Sequence, residues 1–103
     1  MDKDRVFKIV TNYMAYLVHE KKLDIKKAYL FGSYAKGNAN ENSDIDIAIV
    51  FPDNCNTFET MVQLMLLARD FSLDIEPHAI RAEDFSLSNP IAYEIMKTGI
   101  PIY

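Results

Sequence analysis

The sequence has few of the residues that mark specialised classes of protein. It contains no tryptophan, one cysteine, three glycines and four prolines among 103 residues. So little glycine and proline excludes collagen-like and low-complexity chains, and a hydrophobic fraction of 50% supplies enough apolar surface to offset the entropy lost on folding. This length predicts a single domain over residues 1–103, with a core too modest to enclose a deep pocket.

Basic charge is also scarce. Lys and Arg number 11 against 15 Asp and Glu, a net charge of −4, which disfavours nucleic-acid binding because contacts with phosphates supply much of that affinity. The single cysteine, Cys55, excludes an internal disulfide and is typical of a reducing compartment. The start of the chain has no signal-peptide pattern, and no apolar run approaches the ~20 residues of a membrane span. We therefore expect a cytoplasmic protein without a membrane partner.

The hydrophobic pattern changes between helical and strand periods along the chain. Apolar residues three and four apart predict an amphipathic helix from Asp4 to Lys22, and strict alternation from Ser43 predicts a strand with one apolar face. The other predicted elements are strands at 27–31 and 72–76, helices opening at Asn56 and at Asn89-Pro90, one helical turn within 33–42 and a short strand at 100–103. This order predicts an α/β (α+β) fold, a small mixed β-sheet flanked by helices.

The helix that follows Asn56 carries an apolar stripe. Asn56 and Glu59 have the spacing of a capping box, which predicts where the helix begins. The stripe at helical spacing predicts a buried face, with the methionines filling gaps in the core; its members are Phe58, Met61, Val62, Met65 and Leu66.

Two aspartates occur where a strand begins. Asp44 and Asp46 are separated by one residue, so a strand directs both side chains to one face, where the carboxylates repel each other unless a cation lies between them. The preceding strand ends at Gly32-Ser33, where glycine allows close approach of the backbone and a helical turn would point N–H groups at a phosphate. Carboxylates that hold Mg²⁺ beside a phosphate cradle are the components of nucleotidyl transfer.

Together, Gly32-Ser33, Gly37 and Ser43-Asp44-Ile45-Asp46 resemble the signature of the DNA polymerase β-like nucleotidyltransferase superfamily. The short chain resembles its minimal nucleotidyltransferase branch, which implies a palm-like fold. The resemblance implies that Asp44 and Asp46 bind Mg²⁺, as two ions, and that the substrate is ATP or another NTP. The residues implied in binding the nucleotide are Gly32, Ser33, Lys36 and Ser43, with Lys36 standing where relatives often carry arginine.

Members of this superfamily use a third carboxylate, from a later strand, as the general base and as a metal ligand. Asp74 and Glu76 both qualify, because alternation places them on one face of the predicted strand 72–76. Asp74 is preferred because it would lie in mid-strand, whereas Glu76 precedes Pro77; Glu76 stays open as the alternative. His78 is interpreted as a structural or rim residue in preference to a catalytic one, and a functional role stays open as the alternative.

The resemblance implies an Mg²⁺-dependent nucleotidyltransferase that moves AMP from ATP onto an acceptor hydroxyl. In the minimal branch it further implies a HEPN-domain partner in a toxin–antitoxin pair, where this chain is the antitoxin and can adenylylate the toxin. An alternative of another class is a catalytically inactive module of the same fold that neutralises the partner by contact. An aminoglycoside-modifying enzyme is disfavoured, because no second substrate domain exists. Phe85 and Leu87 either contact the partner or pack on the sheet, and the oligomeric state stays open.

Overall fold

Helices and strands alternate along the chain in a computed structural model that describes residues 2–103. Met1, the first residue of the predicted domain, lies outside the described residues. The elements are α1 (Lys3–Ala15), β1 (Lys27–Phe31), α2 (Ser33–Lys36), β2 (Ile45–Phe51), α3 (Thr57–Ala68), β3 (Ile75–Arg81), α4 (Pro90–Thr98) and β4 (Ile100–Pro101). A π-helical turn (Tyr16–Glu20) continues α1, and a 3₁₀ turn (Ala82–Asp84) follows β3.

The four strands form one mixed sheet in the order β3-β2-β1-β4, which confirms the predicted class. β1 is antiparallel to both β2 and β4, whereas β2 and β3 are parallel. Alternation along β2 turns Ile45, Ile47 and Ile49 into the main core, where they meet the buried sides of α1 and α3. The opposite face of β2 carries Asp46. The last helix, α4, packs against β1.

Side-chain caps fix the helix starts that the sequence predicts. The Asn56 side chain accepts a hydrogen bond from the Glu59 N–H at 3.1 Å, and α3 begins one residue after Asn56. Asn89 accepts from the Ile91 N–H at 3.0 Å, and Pro90 occupies the first turn of α4, where a missing donor costs nothing. Both predicted starts are confirmed.

The first helix departs from the single α-helix predicted to Lys22. Its α-helical geometry ends at Ala15, and the Lys21 N–H donates to the Tyr16 carbonyl five residues earlier, at 3.0 Å, as in a π-helix. Leu17 lies fully buried within this wider turn. Hydrophobic spacing therefore located the buried side of α1 correctly, but it carries no information about which backbone carbonyl each N–H selects.

The predicted buried face of α3 is wrong. Phe58 is 76% exposed and Met65 is 51% exposed, whereas Leu64 and Ala68 are the residues that face the core. The helix is apolar on most of its circumference, so periodicity did not define a single side. Because the side chain of Ala68 is small, the side of α3 that carries Leu64 and Ala68 can approach the core closely. The apolar stripe is therefore largely at the surface, with Met65 exposed and Met61 half-buried.

The third strand begins three residues later than predicted and passes through Pro77 instead of ending there. β3 spans Ile75–Arg81, and Pro77 is buried opposite Ile47. A proline is tolerated here because β3 is an edge strand, whose alternate N–H groups face away from the sheet. Asp74, predicted to lie in mid-strand, precedes β3 in a turn.

The two side chains of the segment after β3 behave differently. Phe85 packs back on the sheet, stacking on Tyr29 with ring centroids 5.4 Å apart. Leu87 is 71% exposed. Within residues 2–103, no helix is both long and apolar enough to cross a membrane.

Candidate active site

The first residues of β2 and β3 lie side by side and bring two carboxylates together. Asp46 is the direct neighbour of Glu76 in the parallel pair, on the face opposite the buried Ile45. Asp44 lies just before β2, and its carboxyl is close enough to that of Glu76 to raise the pKa of Glu76. Glu76 therefore has both aspartates as neighbours, and three acidic side chains converge at one edge of the sheet.

Gly32 adjoins this acidic cluster from the end of β1. Phe31 is paired with Asp46, and Gly32, the next residue, has a φ of +75°, which side chains rarely allow. A β-carbon on Gly32 would overlap the Oδ2 atom of Asp46 and lie 3.2 Å from its Cγ. Only glycine lets the backbone pass this close to the carboxylate.

A single helical turn follows directly from Gly32. Within α2, the Lys36 N–H donates to the Gly32 carbonyl at 3.0 Å, and Gly37 closes the turn in the left-handed conformation at φ +81°. The N–H groups of residues 33–35 stand at the start of this turn, where they find no acceptor inside the helix. The start of this turn is therefore joined directly to the glycine that lies against the Asp46 carboxylate.

Asp74 and Glu76, the two candidates for the third carboxylate, occupy different places. The Asp74 carbonyl accepts a hydrogen bond from the Ile45 N–H at 2.8 Å, so its backbone holds the start of β2 beside that of β3. Its side chain is exposed in the turn. The structure brings Glu76 into the cluster with Asp46 and places Asp74 outside the paired strands.

His78, interpreted from the sequence as a structural or rim residue with a functional role left open, belongs to the cluster. Its Nε2 atom lies 3.5 Å from Asp46 Oδ1 and 3.7 Å from Glu76 Oε1. The Phe31 ring packs edge-on against the imidazole, with centroids 5.1 Å apart. The sequence did indicate that His78 lies near the cluster, because Glu76 and His78 are two residues apart and therefore share a face of a strand. The premature end predicted at Pro77 concealed it.

The charges in the cluster alter the titration of its carboxyls. Partial burial raises the pKa of Asp46, and the nearby His78 opposes that effect. The pKa of Glu76 is also raised, by desolvation first, then by the neighbouring carboxyl of Asp44 and by the negative charge of Asp46. The protein alone therefore neutralises little of the negative charge on these carboxylates.

Lys36 and Ser43, both predicted to bind the nucleotide, have partners within the protein. Lys36 Nζ forms an ion pair with Glu94 Oε1, which ties α2 to α4. The Ser43 hydroxyl accepts a hydrogen bond from the Asn40 N–H at 2.9 Å and thereby shapes the loop that precedes Asp44. Lys36 is exposed and can exchange its partner, whereas the hydroxyl of Ser43 is engaged in the loop.

The donor set at this edge fits a divalent metal ion. Asp46, Glu76 and His78 each offer one ligand atom, and the three atoms lie within 4.8 Å of one another. The carboxylate oxygens suit Mg²⁺, which takes oxygen ligands and keeps water or phosphate oxygens on its open positions. A cation there would offset the repulsion that raises the pKa of Glu76.

Comparison with known proteins agrees with this arrangement. The sequence profile of the family described as "Polymerase beta, Nucleotidyltransferase" matches residues 15–103. No curated protein sequence matches the chain.

Several solved structures share the fold. A structure assigned to a nucleotidyltransferase from Sulfolobus solfataricus is 20% identical, with a TM-score of 0.68 over 96% of this chain and 80% of the other. A toxin–antitoxin structure with AMP-PNP is 24% identical, with a TM-score of 0.65 over 90% of this chain and 72% of the other. A variant of the toxin–antitoxin MntA-HpeT is 22% identical, with a TM-score of 0.64 and the same coverages. The mixed sheet with its flanking helices is therefore the fold of these structures.

Proposed function

This chain belongs to the polymerase beta nucleotidyltransferase family, and from that premise we propose that it is an Mg²⁺-dependent enzyme that transfers AMP from ATP to a hydroxyl group. We further propose that the hydroxyl belongs to a HEPN-domain toxin and that the chain acts as its cytoplasmic antitoxin. The observation that carries the proposal is the pairing of Asp46 with Glu76 beside the Gly32 turn. Metal-binding carboxylates and phosphate-binding backbone are thereby adjacent.

Three carboxylates at the edge of the sheet would bind the metal in this proposal. Asp44, Asp46 and Glu76 would hold two magnesium ions together with the phosphates of ATP. When bound, Mg²⁺ supplies charge neutralisation at the phosphate oxygens and orientation of the displacement. We propose Glu76 rather than Asp74 as the third carboxylate, because Glu76 is paired with Asp46 and the side chain of Asp74 is exposed in a turn.

The transfer itself forms one bond and breaks one. The acceptor oxygen attacks the α-phosphorus of ATP, the bond from that phosphorus to the β-phosphate oxygen breaks, and pyrophosphate leaves. The proton of the acceptor hydroxyl passes to the Glu76 carboxylate. Glu76 suits this role because it lies beside Asp46 at the edge of the sheet, where the acceptor hydroxyl would meet the phosphates.

The Gly32-Ser33 turn would receive the triphosphate. Its N–H groups and the Ser33 hydroxyl are uncharged hydrogen-bond donors, and they follow directly on Gly32, whose backbone lies against the Asp46 carboxylate. Lys36 can add a positive charge if it leaves Glu94 for a phosphate oxygen. Ser43 contributes by holding the loop before Asp44 in place.

A protein partner is supported by the solved structures of similar fold, two of which are toxin–antitoxin structures. The surface of this chain offers an apolar contact area beside the site. Leu87 and Ile91 are 71% and 61% exposed, and α4, which carries Ile91, is tied to α2 by the pair of Lys36 and Glu94. A toxin bound there would cover the open edge of the sheet and exclude water from the reaction.

Transfer of label from α-³²P-ATP to the purified HEPN-domain partner tests the activity. We expect wild-type protein to label the partner, and Asp44→Asn or Asp46→Asn to lose that label by orders of magnitude. Asp24→Asn is the matched control, because Asp24 is an exposed carboxylate in the segment before β1. Unlabelled partner with folded wild-type protein would contradict the transferase.

Protection of cells from the toxin separates the enzyme from a catalytically inactive binding module. An enzymatic antitoxin carrying both Asp44→Asn and Asp46→Asn no longer protects, although it still binds the partner. A binding module protects equally well with and without the two substitutions. Leu87→Ser should weaken the complex, and Leu73→Ser, an exposed leucine in the turn before β3, should leave it unchanged.

A further inference from the structure

The imidazole of His78 is 34% exposed, but its Nε2 atom is buried, and its polar neighbours are two carboxylates at ion-pair distance rather than a hydrogen-bond partner. Its Nε2 atom is almost fully removed from solvent and has no hydrogen-bond partner among the described residues. Buried polar atoms are paired in the great majority of cases, because an unmet hydrogen bond costs stability. Such an atom at the edge of an acidic cluster therefore calls for a specific explanation.

The distances from Nε2 to its neighbours are too long for good hydrogen bonds, but they are close to the separation between two ligand atoms of one metal ion. Asp46 Oδ1 at 3.5 Å and Glu76 Oε1 at 3.7 Å are too far for strong hydrogen bonds. Ligand atoms bound at ~2.0–2.1 Å around a tetrahedral ion lie about 3.3 Å apart. The two separations exceed that value by only a few tenths of an ångström. All three atoms lie within 4.8 Å of one another, so a movement of the carboxylate side chains would bring them around one ion.

The neighbours of His78 maintain this arrangement. The Phe31 ring packs edge-on against the imidazole and restricts its rotation. The pairing of Asp46 with Glu76 and of Ala48 with His78 places the three ligand-bearing residues on one face of the β2–β3 pair. The ligand atoms of Asp46, Glu76 and His78 are therefore carried by two paired strands, as a preorganised metal site requires.

We propose that His78 Nε2 is a ligand, with Asp46 and Glu76, of a divalent first-row transition-metal ion such as Mn²⁺, Co²⁺ or Zn²⁺. Neutral imidazole suits these ions, whereas Mg²⁺ prefers a set made only of oxygen atoms. The site thus binds transition-metal ions more tightly than it binds Mg²⁺. This inference deepens the proposed function by adding His78 as a ligand of the same site and by ranking the ions that bind there, but it concerns binding alone and does not require transfer.

Cobalt binding to the metal-free protein, without nucleotide or partner, tests the proposal. Titration with Co²⁺ is followed by visible absorption and calorimetry, and the same protein is titrated with Mg²⁺. We expect His78→Gln to weaken Co²⁺ binding at least about tenfold and to change Mg²⁺ binding little. His19→Gln is the matched control, because His19 is the only other histidine of the chain and is exposed.

Equal affinity of His78→Gln and wild-type protein for Co²⁺ would overturn the proposal. So would equal losses for Co²⁺ and Mg²⁺, since a histidine that only positions the carboxylates affects both ions alike. Thermal melts of the metal-free variants establish that each is folded.

A measurement on the wild-type protein needs no variant. Imidazole ¹⁵N resonances recorded during a Zn²⁺ titration should show a large shift of His78 Nε2 and none for His19. An unchanged His78 resonance at saturating Zn²⁺ excludes coordination. These results are independent of the transfer assay: metal binding without labelled partner contradicts the proposed function alone, and labelled partner without His78 coordination contradicts this inference alone.

Discussion

The backbone of Gly32 runs against the carboxylate of Asp46, so that a β-carbon at position 32 would occupy the space of the Asp46 Oδ2 atom. The contact joins the end of β1 to the start of β2, where the two strands are paired through Phe31 and Asp46. It also joins the two halves of the proposed chemistry. The donors of the helical turn begin immediately after Gly32, and the acidic cluster begins at Asp46.

Gly32→Ala should therefore disrupt both folding and nucleotide binding. The added methyl group collides with Asp46 and forces a side chain into a positive φ, which together should cost roughly 1–3 kcal/mol. Gly37→Ala is the matched control, because Gly37 has a similar φ of +81° but nothing within 4 Å of its β-carbon position. Chemical denaturation and ATP titration measure the two effects. Equal losses for both variants would show that strain alone matters.

Glu76→Gln should reduce transfer about 10²–10⁴-fold, because it removes the proposed base. Asp74→Asn should stay within a few-fold of the wild type, because the side chain of Asp74 is exposed in the turn and its backbone contact with Ile45 is retained. Single-turnover labelling of the partner measures both. A crippled Asp74→Asn with a nearly normal Glu76→Gln would restore Asp74 to the role.

Stability should depend on pH through Glu76. Its pKa is higher in the folded protein than in the unfolded chain, so the folded state holds the proton more tightly, and this stabilisation is lost as pH rises through the folded pKa. Glu76→Gln removes the charge that causes the loss. Its free energy of unfolding, relative to wild type and without metal, should therefore increase between pH ~4 and pH ~7. Denaturation at both pH values measures the difference, and Glu20→Gln, exposed at the end of the π-helical turn, should show no such trend. A constant difference would contradict the prediction.

The ion pair of Lys36 with Glu94 should compete with ATP. Glu94→Gln releases Lys36, so the Kd for ATP should fall a few-fold while the melting temperature stays unchanged, because exposed ion pairs contribute little to stability. Lys36→Met should raise that Kd by about tenfold. In the double variant the benefit of Glu94→Gln should vanish, which calorimetry can test as a cycle. A persisting benefit would mean that Glu94 acts on the nucleotide by another route.

Tyr13→Phe should destabilise the fold. The Tyr13 hydroxyl donates a buried hydrogen bond to the Leu64 carbonyl at 2.7 Å, which links α1 to α3, and burial raises the pKa of the phenol so that it stays a donor. Its loss should cost about 1 kcal/mol. Tyr16→Phe is the control, since Tyr16 packs on the same Phe71 but is only half-buried, and its change should stay within about 0.5 kcal/mol. Urea denaturation compares the two, and equal effects would show that the hydrogen bond to Leu64 adds no stability beyond the general effect of losing a tyrosine hydroxyl.

Local chemistry made much of this fold predictable from sequence. Asn56 and Asn89 cap the helices that they were predicted to open, and β1 has the predicted bounds. The alternation around Asp46 correctly assigned one face of β2 to the core. Each of these features depends on residues that are near neighbours in the sequence, so the signal is complete within a short window.

The features that the sequence missed depend on contacts between distant segments. The side of α3 that is buried was chosen by the fit of Leu64 and Ala68 to the core, because a helix apolar on most sides offers no pattern from which to choose. The extent of β3 was decided by its position at the edge of the sheet, where Pro77 costs no hydrogen bond to β2.

The same division applies to the candidate site. The sequence alone determined the local motif, namely two aspartates at the start of a strand and a glycine turn at the end of the preceding one. Only the tertiary structure decided which residues complete it. The parallel register of β2 and β3 sets Glu76 beside Asp46 and turns His78 toward both, and that register is fixed by burial of Ile45, Ile75 and Pro77 on the opposite face. A shift of one residue would expose those apolar side chains to water, so packing of the core selects the members of the site.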